Sequence, residues 1–140
     1  TLLASSAASD VYKRQGGSSG KECLQINVKD NSAFGSFVQI PAVDGTIEKI
    51  EVTIREPHKG RAIGIFPVGY TYTKDTLDKM KEQLAKDAIA ISNETPSDVN
   101  NNEPFTFVID NLSAKNLTQF SIFPTLGAVS ITAITVTYSK

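Results

Sequence analysis

The sequence predicts an all-β protein, an antiparallel two-sheet β-sandwich with one inserted surface α-helix at about 74–87. Three observations predict it. From Cys23 onward, apolar and polar residues alternate in short runs, and Gly, Pro, Asn and Asp separate those runs. No series of helical patterns alternates with the strands, as a parallel sheet would require. A single run carries helical spacing instead.

CLQINVKD places Leu24, Ile26 and Val28 on one face. GSFVQIP carries apolar residues on both parities, as an inner strand does. GTIEKIEVTIRE follows the Asp44-Gly45 turn signal and directs Ile50, Val52 and Ile54 inward; Ile47 has the opposite parity, which predicts a bulge near Glu48 and Lys49. RAIGIFPV and AIAIS follow. PFTFVID puts Phe105, Phe107 and Ile109 together, and QFSIFPT pairs Phe120 with Ile122. In AVSITAITVTYSK the inward parity changes between Ile131 and Ile134, so a bulge or bend is expected at Ala133 and Ile134. Eight such strands at this spacing describe a sandwich.

The run TKDTLDKMKEQLAKDA is the helix. Leu77, Met80 and Leu84 recur at helical spacing, and Glu82 stands one turn before Lys86. Thr73 or Asp75 is the expected N-cap. The narrow apolar stripe predicts a surface helix that covers an open end or an edge of the sandwich. The loop Asn93 to Pro104 is too polar to bury itself.

Residues 1–20 are set apart as a leader or linker, expected to be disordered unless a crystal contact or a sheet edge captures it, and residues 21–140 as a single β-sandwich domain. The leader ends in a Gly/Ser tract, and its SAASDVYKRQ resembles translated adapter sequence, so part of it is expected to be non-native.

A chain of 140 residues can build a sizeable core without metals or disulfides. Fourteen Lys and Arg oppose fifteen Asp and Glu, for a net charge of −1. That balance gives no general attraction to nucleic acid or to an anionic membrane. No apolar run reaches the roughly 18 residues of a membrane-spanning helix. Cys23, the only cysteine, has no partner for an internal disulfide.

No catalytic signature emerges, and the expectation is a non-enzyme. One His and one Cys cannot assemble a nitrogen and sulfur zinc site. There is no nucleophile elbow and no phosphate-binding glycine loop. Oxygen ligands are available: Asp98, Asn100 and Asn102 alternate in DVNNNE and could serve a structural Ca²⁺, although the glycine and glutamate of an EF-hand are missing. The second candidate cluster is REPHKGRAIGIFPVGYTYTKD. Tyr70 and Tyr72, two apart, would point to one side of an extended chain, with Arg55, His58 and Arg61 just upstream. Rings offer a face to the apolar side of a sugar, and planar donors pair with its hydroxyls. The competing reading packs both tyrosines beneath the following helix.

GTIEKIEVTIRE and GAVSITAITVTYSK resemble strands of a broad group of jelly-roll modules in the surface and secreted proteins of polysaccharide-degrading gut bacteria. The matching residues are Ile47, Ile50 and Val52, then Ile131, Ile134, Val136 and Tyr138. The resemblance implies a β-sandwich of jelly-roll type. It further implies an exported, non-catalytic carbohydrate-binding or accessory module whose partner is a polysaccharide or oligosaccharide. The matching positions are core positions and carry no binding motif, and the chain lacks Trp. The alternative is a structural or adhesive sandwich that binds a protein partner or acts as a spacer.

Overall fold

The computed structural model describes residues 7–13, 24–26, 37–72 and 76–140. Nine strands and one α-helix lie among them: β1 (Ala7–Lys13), β2 (Leu24–Ile26), β3 (Val38–Gln39), β4 (Thr46–Arg55), β5 (Ile63–Phe66), α1 (Leu77–Asp87), β6 (Ala90–Ile91), β7 (Phe105–Ile109), β8 (Ser121–Pro124) and β9 (Val129–Ser139). A short 3₁₀ turn, Ser113–Lys115, joins β7 to β8.

Two antiparallel sheets face each other. One has the order β2–β9–β4–β7, with β1 on the same edge of β9 as β2; the other has the order β3–β8–β5–β6. The hydrogen-bonded neighbours β2–β9, β3–β8, β4–β7 and β5–β6 form a nested series that alternates between the two sheets. The chain is thus a long double hairpin wrapped over itself, which is the jelly-roll arrangement. Between the sheets lies the main core, with Ile26, Ile40, Ile47, Ile50, Val52, Ile54, Ile63, Ile65, Phe107, Phe120, Ile122 and Val136 almost wholly buried.

Both expected parity changes are bulges in the β4–β9 ladder. Thr137 pairs with Lys49 and Tyr138 with Ile47, so Glu48 is the extra residue on β4. Ile131 pairs with Ile54 and Ala133 with Thr53, so Thr132 is the extra residue on β9, one position before the expected bend. The Thr132 hydroxyl donates to the Thr53 carbonyl at 3.2 Å and holds that irregularity in place. Each bulge returns the following apolar residues to the core face.

Strands β5 and β8 do not alternate because both their faces are covered. Ile63, Ile65 and Ile122 enter the main core, while Phe66 and Phe123 join Tyr72, Met80 and Leu84 in a second cluster on the opposite face. The helix therefore roofs the outer face of the second sheet rather than an end or an edge. Burying Met80 and Leu84 there is worth roughly 1.5–3 kcal/mol each. The N-cap is Thr76, whose hydroxyl accepts from the Lys79 N–H at 3.3 Å; this replaces the expected Thr73 or Asp75, and α1 begins at Leu77 rather than at 74. Thr76 stands at the position from which a short hydroxyl reaches the third helical N–H.

β1 falls within the segment set apart as leader. Its backbone pairs with β9 from Ala133 to Ser139, an edge that β2 leaves open. Cys23 and Val28 lie outside the described residues.

Candidate functional site

Between β4 and β5 the chain makes the turn that carries His58, Lys59 and Arg61. Thr95, almost fully buried, organises it. Its hydroxyl accepts from the Arg61 N–H at 2.9 Å and donates to the His58 carbonyl, and its own N–H donates to the Arg61 carbonyl at 2.8 Å. These bonds tie the β4–β5 turn to the loop that precedes β7. Together the two segments form a cleft of about 440 Å³ lined by His58, Lys59, Arg61, Ser97, Val99 and Asn101. A smaller hollow of about 190 Å³ shares His58 and Arg61 and extends toward Glu56 and Ser130.

Arg61 is the best-fixed cation of the cleft. Its Nε donates to the Ala128 carbonyl at 3.0 Å. The guanidinium passes over Gly127 so closely that a β-carbon there would stand 3.0 Å from Cζ. The glycine is what lets the side chain lie flat across the 127–128 backbone. Pro57, buried, and Glu56, at a φ of 47°, shape the entry into the turn.

The structure divides the expected aromatic and cationic cluster. His58 and Arg61 do line one cleft. Arg55 stays on β4, with Nη2 3.6 Å from Glu56 Oε2, and lines neither hollow. Tyr70 and Tyr72 follow the far end of β5. Tyr72 is 1% exposed in the second cluster, packed edge-on to Phe123, so its ring is not available to a ligand. Tyr70, half-buried, stacks on Phe66 with centroids 4.6 Å apart and donates from Oη to Asp87 Oδ2 at 2.8 Å. Burial and that carboxylate together raise its phenol well above the usual tyrosine range. The helix uses both rings, as the competing reading held.

The loop residues Asp98, Asn100 and Asn102 are exposed, and Asn100 Oδ1 accepts from the Asn102 N–H at 2.9 Å in an Asx turn. The alternate residues Ser97, Val99 and Asn101 line the cleft instead. The sequence offered Asp98, Asn100 and Asn102 as oxygen ligands for Ca²⁺ and did not single out the cleft residues Lys59, Ser97, Val99 and Asn101, or Thr95 and Gly127 that support them. The one available signal was that Thr95 and Ser97 flank Pro96 in a loop with few fixed points. Among the described residues, no three of the His, Cys, Asp and Glu side chains gather as a metal-holding group, and no helix is long and apolar enough to cross a membrane.

No family model matches the chain, and no curated relative matches it. Among solved structures it is similar to a protein from work described as "Bacillus endospore appendages form a novel family of disulfide-linked pili". That chain is 10% identical, with a TM-score of 0.37, and the match covers 96% of this chain and 88% of the other.

Proposed function

We propose that the chain is a non-catalytic carbohydrate-binding or accessory module of an exported polysaccharide-processing or glycan-capture protein. The observation that carries this reading is the cleft between the β4–β5 turn and the 97–101 loop. Its volume is in the range of small-ligand sites. Its lining combines planar polar groups on His58, Arg61 and Asn101 with a hydroxyl on Ser97 and an apolar surface on Val99. Such a set pairs with sugar hydroxyls and supports one apolar sugar face. The ring pair expected to do this is committed to α1, so the ligand surface moves from the tyrosines to the loops.

The test is an affinity-gel and glycan-array screen of the full chain, with and without Ca²⁺, repeated on Asn101→Ala and His58→Ala. Both side chains are exposed, so neither substitution should move the melting temperature by more than about 2 °C. Retention on a glycan that falls in both variants supports the reading. A calcium requirement would assign Asp98, Asn100 and Asn102 a structural ion. No retention on any glycan would overturn the reading.

One observation favours the structural or adhesive alternative. Among the described strands β7 lies at a sheet edge, with no charge, proline or bulge within Phe105–Ile109, and Val108 is 40% exposed. Natural edges usually carry one of those protections when they are not used for pairing. Under this alternative, Val108→Lys abolishes self-association or partner capture and leaves glycan retention unchanged.

A further inference from the structure

We infer that the cleft of His58, Lys59 and Arg61 takes an anionic sugar, one that bears a carboxylate or a sulfate. This inference rests on the reading of the cleft as a glycan site and adds the charge of its ligand. The lining contains Lys59, Arg61 and His58 and neither Asp nor Glu. Asp98 is on the same loop but outside the lining, and the nearest upstream carboxylate, Glu56, lies beside the Arg55 guanidinium. Lys59 makes no ion pair among the described residues. Arg61 uses only Nε, on the Ala128 carbonyl, which leaves both terminal nitrogens for a ligand.

Arg61 is also held in place, by the Ala128 carbonyl and by the close passage over Gly127, and Thr95 ties the backbone on both sides of the exposed Lys59. A cleft lined by Lys59 and Arg61 and by no carboxylate raises the local potential even though the whole chain carries a net charge of only −1. A guanidinium presenting two N–H groups matches the two oxygens of a carboxylate or a sulfate.

The experiment compares retention of the full chain on polygalacturonate, on a sulfated galactan and on a neutral galactan, in low and in high salt. It is repeated on Lys59→Gln, Arg61→Gln and Gly127→Ala. The inference expects at least one acidic polymer to be held and the neutral one not, with retention falling about tenfold in high salt. Preference between the two acidic polymers identifies the carboxylate or the sulfate as the group recognised. Lys59→Gln, at a solvent-exposed position, lowers retention several-fold with an unchanged melting temperature, and Gly127→Ala lowers it by displacing Arg61. Equal retention of the neutral polymer, lost in Asn101→Ala, would overturn the charge inference while the glycan reading stands. Retention of none of the three, together with an empty glycan array, would overturn both.

Discussion

Tyr70 donates its phenolic hydrogen to Asp87 across 2.8 Å, tying the segment after β5 to the last residue of α1. Tyr70→Phe keeps the stacking on Phe66 and removes only this bond. Stability should fall by about 1 kcal/mol, read by urea denaturation at neutral pH. The bond also sets a pH dependence. Because the folded state raises the Tyr70 phenol, its stabilising effect is complete below the ordinary tyrosine value of about 10 and is lost as pH rises above it. Alkaline denaturation should therefore begin at higher pH in Tyr70→Phe than in the parent, relative to each protein's neutral stability. Identical alkaline profiles would remove Tyr70 as the titrating group.

Two positions along, Tyr72 should behave differently. Its ring is 1% exposed among Phe66, Met80, Leu84 and Phe123, and Tyr72→Ala leaves a cavity under the helix. The expected cost is roughly 3–5 kcal/mol, with loss of helical signal alongside the main transition. A substitution that lowered glycan retention at unchanged stability would instead return Tyr72 to the ligand surface.

Gly45 opens β4 against the C-terminal end of β9. A β-carbon at this position would collide with the Ser139 carbonyl and stand 2.9 Å from the Tyr138 ring. Backbone cannot yield as a flexible side chain can, so Gly45→Ala should destabilise by about 1–3 kcal/mol. Gly127→Ala, whose nearest contacts are with the guanidinium of Arg61, a side chain that can shift, should cost far less. Equal melting temperatures for the two variants would contradict the close approach at Gly45.

Removal of residues 1–20 deletes β1 but none of the eight nested strands. The described core residues begin at Ile26. The truncated chain should fold cooperatively, with a two-state denaturant transition and a modest loss of stability from the uncovered β9 edge. Failure of the truncated chain to fold would make β1 part of the domain.

Much of the fold is legible in the sequence wherever one face of an element is buried and the other is wet. Ile50, Val52 and Ile54, and Ile134, Val136 and Tyr138, announce their strands through that asymmetry, and the breaks in it near Glu48 and Ala133 locate two bulges to within a residue. Leu77, Met80 and Leu84 do the same for α1. The pattern is silent where both faces are covered. Ile63–Phe66 and Ser121–Pro124 are buried throughout, so nothing in their periodicity shows that a helix roofs their second face.

The site was legible only as residue types. His58 and Arg61 stand out in a turn, but the fate of Tyr70 and Tyr72 depends on what α1 covers, and a polar loop has no burial rhythm to show that Ser97, Val99 and Asn101, rather than Asp98, Asn100 and Asn102, turn toward the cleft. The all-β class, the inward face of the long strands and the one helix are written in the sequence, because side-chain period and solvent act residue by residue along the chain. The nested sheet order, the roofing of Tyr72 and the cleft arise only on folding. Those depend on contacts such as Thr95 with His58, thirty-seven residues apart, which exist only once the double hairpin has wrapped.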